Sequence, residues 1–174
     1  MKLELFVVKT DSQSKIPVSM SKMSKSDAKA TVQPSSQWQT SWLSDYIADS
    51  KFLKYALKTA DEELIALGAY EIQQRCVVVN IVYIESHPDS NPTMTKTRKY
   101  TGIGKAMIAY GIALSVNNGC EGCVMFEAKT SSLAKHYVED FGAIPLHSWD
   151  GAPPRFMIEA DCSHPLRSGV PEGV

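Results

Sequence analysis

The sequence lacks a hydrophobic run long enough to cross a bilayer, and it lacks an excess of charge of either sign. Its longest apolar run, 76–84, is interrupted by Asn80 and is far shorter than the about 18 residues that a membrane-spanning helix needs. Lysine and arginine total 18 and aspartate and glutamate total 19, which gives a formal net charge of -1. Because nucleic-acid-binding proteins usually carry a basic excess, we expect neither a membrane nor a nucleic acid as partner.

Cysteine is also scarce, with 4 residues in 174, which excludes a disulfide-dense small fold. Glu4 interrupts the short apolar run at the N-terminus, so this segment does not have the pattern of a secretory signal. We therefore expect a cytoplasmic protein with free thiols. The pair Cys120 and Cys123 has only Cys162 and His164 as a plausible second pair of zinc ligands, and we expect no metal site.

What the sequence does contain is the composition of an ordinary globular domain. Hydrophobic residues make up 44% and charged residues 21%, and a length of 174 residues suits one domain. We expect residues 1–174 to form that single domain. The serine- and lysine-rich segment 10–37 predicts a polar loop with one short helix around 24–30, and the segment 161–174, which holds Pro, Gly and Ser, predicts a flexible tail.

Hydrophobic periodicity and turn residues predict the remaining elements. Segments 52–57 and 64–73 form a hairpin with a charged tip at 61–63. Several strands precede the first strand-helix-strand unit, which favours a mixed α/β layer over a doubly wound parallel sheet. The predicted strands are 3–8, 52–57, 64–73, 76–85, 122–128, 143–146 and 155–160, and the predicted helices are 38–49, 101–117 and 131–141, the last with a serine cap at Ser131.

The sharpest motif is a glycine-containing loop at 99–105, KYTGIGK, between a hydrophobic strand and an amphipathic helix. Gly102 and Gly104 let backbone N–H groups come close to a ligand. Exposed N–H groups and the helix dipole make such a helix start an anion site, and Arg98 and Lys105 add positive charge.

Two familiar phosphate loops do not fit this motif. A Walker loop needs a glycine where Lys99 stands and Ser or Thr where Ala106 stands. The dinucleotide fingerprint needs Gly or Ala where Met107 stands. A basic-x-x-Gly-x-Gly loop remains.

The order of motifs over 38–160 resembles the GNAT acetyltransferase superfamily. It runs from a strand to the basic-x-x-Gly-x-Gly loop and an amphipathic helix, then to a second strand and the segment 134–142, AKHYVEDFG. The resemblance implies a mixed, mostly antiparallel central sheet flanked by helices. This sequence departs from the family pattern at four positions: Lys99 replaces Arg or Gln, Ser131 replaces Asn, Val138 replaces the frequent proton-donating tyrosine, and Ala143 replaces Phe.

The resemblance further implies an acetyl-CoA-dependent N-acetyltransferase, in which a primary amine attacks the thioester directly. The thioester would lie beside the end of the strand 76–85. Because the amine must lose a proton before it attacks, we take Glu85, Glu71 and His87 as candidate catalytic residues. The residues expected to bind acetyl-CoA are Ile84, Ser86, Arg98, Lys99, Tyr100, Thr101, Gly102, Ile103, Gly104, Lys105 and Ser131.

The tyrosine next to the usual acid position is expected to be structural. One residue along a helix rotates a side chain by about 100°, so Tyr137 and Val138 cannot both face the thioester. We expect Tyr137 to point into the sheet with Leu133 and Phe141, and no acid to occupy the position of Val138.

The acceptor is open at this stage between a small amine and a protein amine, although the acidic turn 61–63 favours a cationic acceptor. Whether the protein forms a homodimer is also open. An alternative function is a catalytically silent module of the same fold that binds CoA or a partner protein. A toxin-type acetyltransferase that acts on aminoacyl-tRNA is disfavoured by the charge of -1.

Overall fold

The computed structural model describes residues 3–49 and 51–159. Short 3-10 helices at Gln74–Cys76 and Pro88–Ser90 accompany the main elements. The strands are β1 (Leu5–Lys9), β2 (Ser14–Lys22), β3 (Leu53–Thr59), β4 (Leu64–Gln73), β5 (Val78–Ser86), β6 (Tyr100–Thr101), β7 (Val124–Glu127), β8 (Ile144–Leu146) and β9 (Arg155–Ile158), and the helices are α1 (Lys25–Ala30), α2 (Asp45–Ala48), α3 (Ile103–Asn117) and α4 (Ser131–Phe141).

The strands form one mixed sheet in the order β6-β1-β2-β3-β4-β5-β7-β9-β8. Every neighbouring pair is antiparallel except β5 and β7, which are parallel. The predicted fold class, a mostly antiparallel α/β sheet flanked by helices, is confirmed. The predicted hairpin is confirmed as β3 and β4.

The prediction of a loop over 10–37 is wrong in its first half, because β2 occupies Ser14–Lys22. Ile16, Val18 and Met20 alternate with exposed residues and turn toward the core, which is the period-two pattern of a half-buried strand. The serines and lysines between them obscured that pattern. Pro17 is tolerated because pairing with β3 begins only at Val18.

Smaller corrections concern the ends of elements. The helix predicted over 38–49 is confined to α2, and 38–44 is a loop. Strand β5 begins at Val78, after Val77 adopts a left-handed conformation with φ 53°. Helix α4 has its predicted bounds, but its cap is Thr130, whose side chain accepts a hydrogen bond from the Leu133 amide at 3.2 Å. The segment 161–174 lies outside the described residues.

Helix α3 lies close against one face of the sheet, and its direction follows from two glycines. A Cβ at Gly68 would lie 2.5 Å from Cε of Met107, and a Cβ at Gly111 would lie 3.2 Å from Cδ1 of Ile81. Gly68 pairs with Ile84 on β5. Moving toward the start of α3 therefore moves toward the carboxyl end of β5, so the glycine loop and that end of β5 lie at the same edge of the molecule.

The opposite face of the sheet is covered by the segment that leads into β3. Trp42, Ile47 and Phe52 are buried there against Leu67 and Ala69 of β4. Among the described residues, none of the helices combines the length and apolar content needed to cross a membrane.

Candidate active site

The glycine loop forms an open turn at the start of α3. Gly102 is the N-cap residue with φ 81°, a left-handed conformation that favours glycine. A Cβ built at Gly102 or at Gly104 would meet no atom within 4 Å. The loop therefore leaves space for an anionic group beside the first N–H groups of a 15-residue helix.

The cations of the loop do not all face this space. Lys99 forms an ion pair with Glu63, and this hydrogen bond raises the pKa of the Lys99 ammonium above its usual value. Tyr100 donates a hydrogen bond from its hydroxyl to the other Glu63 oxygen at 2.9 Å. Within the described part of the chain, neither Arg98 nor Lys105 forms an ion pair, so these two cations are the ones available to a phosphate.

The long connector after β5 folds back and anchors the loop. The Lys99 amide donates to the Asp89 carbonyl at 2.9 Å, and the Tyr100 amide donates to the Ser90 hydroxyl at 3.1 Å. From the other side, the Thr10 amide donates to the Lys99 carbonyl at 3.0 Å. The loop is thus hydrogen bonded to Asp89 and Ser90 on one side and to Thr10 on the other, and these bonds fix the start of α3.

Strand β5 has an open edge next to this loop. Its pairing with β7 covers only Val79, Asn80 and Ile81, whereas the strand continues to Ser86. A bulge at Val82, where the register with β4 shifts, turns the strand at the point where the pairing ends. Residues 82–86, which include the predicted cofactor contacts Ile84 and Ser86, therefore present one unpaired backbone edge.

Lys129 bridges the two strands where they separate. It follows β7, and its Nζ lies 3.7 Å from the ring centroid of Tyr83 on β5. The hydroxyl groups of Tyr83 and Thr40 are hydrogen bonded at 2.7 Å. On the face of the sheet that Trp42 covers, the gap between β5 and β7 is thus closed by Lys129, Tyr83 and Thr40.

Glu85, the first candidate base, is buried beneath the 38–44 loop. Its side chain is oriented toward that loop, and the residue is only 4% exposed. One carboxylate oxygen accepts a hydrogen bond from the Gln39 amide at 2.7 Å, and the other accepts one from Nε1 of Trp42 at 3.0 Å. Both oxygens therefore have donors from the chain, which suits a carboxylate that holds the loop in place.

His87 lies on a cavity at the carboxyl end of β5. Its Nδ1 is 2.9 Å from Oδ1 of Asp89, and its ring meets Trp38 edge to face with 5.6 Å between centroids. The cavity has a volume of about 610 Å³, and its lining includes Ser35, Trp38, Glu63, His87, Asp89 and Met94. Because Glu63 also bonds Lys99 and Tyr100, the cavity and the glycine loop share a wall.

Glu71 and Ser131 are not among the described residues that line this cavity. Glu71 pairs with Asn80, whereas Leu67 pairs with Glu85, so the two carboxylates are about 13 Å apart along the strand direction. Glu71 accepts a hydrogen bond from the Gln73 side chain and lies 3.8 Å from the Lys51 ammonium. Ser131 is exposed in the first turn of α4.

Tyr137 points into the sheet, as its position in α4 predicts. Its ring packs against Phe126 and Phe156 with centroid distances of 4.6 and 5.9 Å, and it joins the main core cluster with Leu133 and Phe141. Burial raises the pKa of the Tyr137 hydroxyl to about 12.

Sequence reasoning missed two polar residues of this region. Asp89 is the partner of His87, and the segment His87-Pro88-Asp89 has the composition of a short turn that could have indicated this contact. Lys129 contacts Tyr83 across the gap between β7 and β5, and no local pattern marks that pairing.

Comparison with known proteins gives a match at the level of fold. No family model matches the sequence, and no curated protein matches it. The solved structure of nourseothricin acetyltransferase is 11% identical, covers 81% of this chain and 97% of its own, and has a TM-score of 0.55. The dodecameric spermidine N-acetyltransferase from Vibrio cholerae is 12% identical, with coverage of 82% and 93% and a TM-score of 0.56.

Mutant forms of a spermidine/spermine N-acetyltransferase from Vibrio cholerae are 16% identical, with coverage of 81% and 93% and a TM-score of 0.55. The chain therefore has the fold of the GNAT acetyltransferases, which confirms the resemblance seen in the sequence. These structural neighbours are N-acetyltransferases.

Proposed function

We propose that the protein is an acetyl-CoA-dependent N-acetyltransferase that transfers the acetyl group to a primary amine. The observation that carries this proposal is the juxtaposition of an open anion-binding turn at Gly102 and Gly104 with the unpaired edge of β5 over 82–86. An anionic, amide-bearing co-substrate needs both features. We further expect the single domain to act in the cytoplasm, and a homodimer stays an open prediction.

The glycine loop and strand β5 would bind different parts of the co-substrate. N–H groups at the start of α3 and the side chains of Arg98 and Lys105 would hold the pyrophosphate. The backbone edge of β5 near Ile84 and Ser86 would pair with the amide groups of the pantetheine arm. Lys99 would act indirectly, because its ion pair with Glu63 fixes the loop.

We assign the acceptor amine to the cavity beside His87. Nδ1 of His87 lies 3.4 Å from the Asp89 amide, which donates to it, and 2.9 Å from the Asp89 carboxylate. The shorter contact favours the tautomer with the proton on Nδ1, and Nε2 would then accept a proton from the amine, directly or through water. The amine nitrogen then bonds to the acetyl carbon as the carbon–sulfur bond breaks, and it releases its second proton to water. CoA leaves as a thiolate, whose ordinary pKa near 8.5 makes a general acid dispensable.

The roles of the two glutamates follow from their positions. Glu85 would hold the 38–44 loop that forms the acceptor wall, because both of its oxygens already accept hydrogen bonds. Glu71 lies toward the opposite end of its strand and is the last candidate for the base.

A silent CoA-binding module of the same fold is the second candidate. The exposed Val138 favours it, since no hydroxyl stands at the usual acid position. The test is incubation with acetyl-CoA and a mixture of amines, followed by mass spectrometry of the products. Acetylated amine that disappears with His87→Gln supports the enzyme, and CoA binding without any acetylated product supports the silent module.

A further inference from the structure

We infer that the acceptor is a small aliphatic amine that carries a second cationic group and no acidic group. This inference rests on the proposed function, because it assigns a substrate class to the cavity beside His87. It goes further in that it separates polycationic acceptors from amino acids, aminophosphates and other zwitterions.

The permanent charges that the described residues place on the cavity wall are negative. Among those residues the acidic side chains are Glu63 and Asp89, and there is no lysine or arginine. Glu63 is neutralised in part by Lys99, which is directed toward Glu63 itself. Asp89 contacts a histidine and the Ser90 hydroxyl, and neither of these is a permanent cation.

A third carboxylate, Glu85, lies two residues before His87 and bonds the amide of Gln39, the neighbour of the lining residue Trp38. Glu85 is 4% exposed, and the donors that it meets in the described part of the chain are the Gln39 amide and the Trp42 indole. These donors satisfy its hydrogen bonds but carry no charge. In the low dielectric of a protein interior its field reaches further than it would in water, so Glu85 adds to the negative potential of the cavity.

The shape and remaining surface of the cavity suit a small organic cation. A volume of about 610 Å³ falls within the usual range of small-molecule sites, about 300–1,000 Å³. Trp38 contributes an indole ring, the aromatic group that attracts ammonium ions most strongly. The hydroxyl groups of Ser35 and Thr95 offer acceptors for the N–H donors of an ammonium group. An anionic group would meet Asp89 and Glu63, and the Lys99 ammonium that could compensate it is already paired with Glu63.

Three matched ligands test this inference: putrescine, n-butylamine and γ-aminobutyrate. They share a four-carbon chain and one amine, and they differ in whether the far end is an ammonium, a methyl or a carboxylate group. Binding is measured by calorimetry without acetyl-CoA, and turnover is measured separately with acetyl-CoA. We expect putrescine to bind at least about tenfold more tightly than γ-aminobutyrate, with n-butylamine between them.

Variants connect the effect to the cavity. Asp89→Asn is expected to weaken putrescine binding several-fold and to weaken n-butylamine binding less, because n-butylamine carries one cationic group and putrescine carries two. Glu62→Gln is the matched control, because Glu62 is exposed and pairs with Lys58 rather than with the cavity. Glu63→Gln is a second test should Asp89→Asn fail to fold, since it also removes one cavity charge.

The outcomes separate this inference from the proposed function. Equal or tighter binding of γ-aminobutyrate, or no binding of any of the three ligands, overturns the inference. Preferential acetylation of γ-aminobutyrate overturns it as well but supports the acetyltransferase. Preferential binding of putrescine without any acetylated product supports the inference about the cavity and contradicts the proposed function.

Discussion

The indole of Trp42 donates a hydrogen bond to the buried carboxylate of Glu85 across 3.0 Å, between a loop and a strand that are 43 residues apart. The Gln39 amide donates to the other oxygen of the same carboxylate. One side chain of β5 therefore fixes both ends of the short segment 39–42 against the sheet.

Breaking this contact is expected to destabilise the fold. Glu85→Gln keeps one acceptor oxygen but places an amide donor opposite a second donor, and an unsatisfied buried polar group costs about 1–3 kcal/mol. We expect a loss of about 2 kcal/mol in the free energy of unfolding, measured in urea. Exposed Glu4→Gln is the control and should be neutral. Combining Glu85→Gln with Trp42→Phe should cost clearly less than the sum of the two single changes, and strict additivity would show that the contact contributes nothing.

The capping box of α1 makes stability depend on acid pH. Burial alone would raise the pKa of the Asp27 carboxyl, but hydrogen bonds from the Ser24 amide and the Lys58 ammonium hold it below its usual value of 3.8. A lowered pKa in the folded state contributes stability above pH 3.8, and this contribution is lost as the pH falls through the folded value. Asp27→Asn should therefore destabilise the protein at pH 7 by about 1–2 kcal/mol and by progressively less as the pH falls below 3.8. A destabilisation that stays the same size as the pH falls would contradict this account.

The contact between α3 and the sheet leaves no room for a side chain at Gly68. A Cβ there would lie 2.5 Å from Cε of Met107 and 2.9 Å from the Tyr70 ring, and Tyr70 cannot move freely because its hydroxyl donates to the Met107 carbonyl. We expect Gly68→Ala to lower the free energy of unfolding by about 1–3 kcal/mol. Gly104→Ala, which meets open space, should not destabilise the protein. Equal stability of Gly68→Ala and the wild type would show that the helix is packed less closely than described.

Tyr137→Phe should keep most of the activity. The ring packs against Phe126 and Phe156, so the change removes only a hydroxyl group. Since burial raises the pKa of this hydroxyl to about 12, no change in activity between pH 6 and 10 should depend on it. The measurement is kcat and KM of both proteins across that range. A hundredfold fall in kcat with unchanged CoA affinity and Tm would identify Tyr137 as a catalytic acid and contradict the orientation found here.

The parts of the fold that local patterns encode could be predicted from the sequence. Helix α4 has its predicted bounds, and α3 begins two residues after the predicted start, because apolar spacing and terminal glycines mark both. Strand β2 was missed because its lysines and serines resemble a loop, although the alternation of Ile16, Val18 and Met20 was present.

The candidate site could be predicted only in part. The glycine loop is a local motif that the sequence shows directly, and the apolar run before them puts Glu85 near the end of β5 and His87 just after it, while their roles stay predictions. The bond between Glu85 and Trp42 and the contact between Lys129 and Tyr83 join residues far apart in the chain. Such contacts depend on how the elements pack, and one sequence carries no local signal for them.

Calorimetric titration of CoA into the wild type and into Gly104→Gln tests whether the glycine loop binds CoA. The substitution fills the open space at the start of α3 with a neutral side chain at an ordinary helical position. Asn117→Gln, at the exposed far end of the same helix, is the control. The proposed function predicts that CoA binds the wild type and the control alike and binds Gly104→Gln at least about tenfold more weakly, with the same Tm for all three. Unchanged CoA affinity in Gly104→Gln, or no CoA binding to the wild type, would contradict the assignment of this loop.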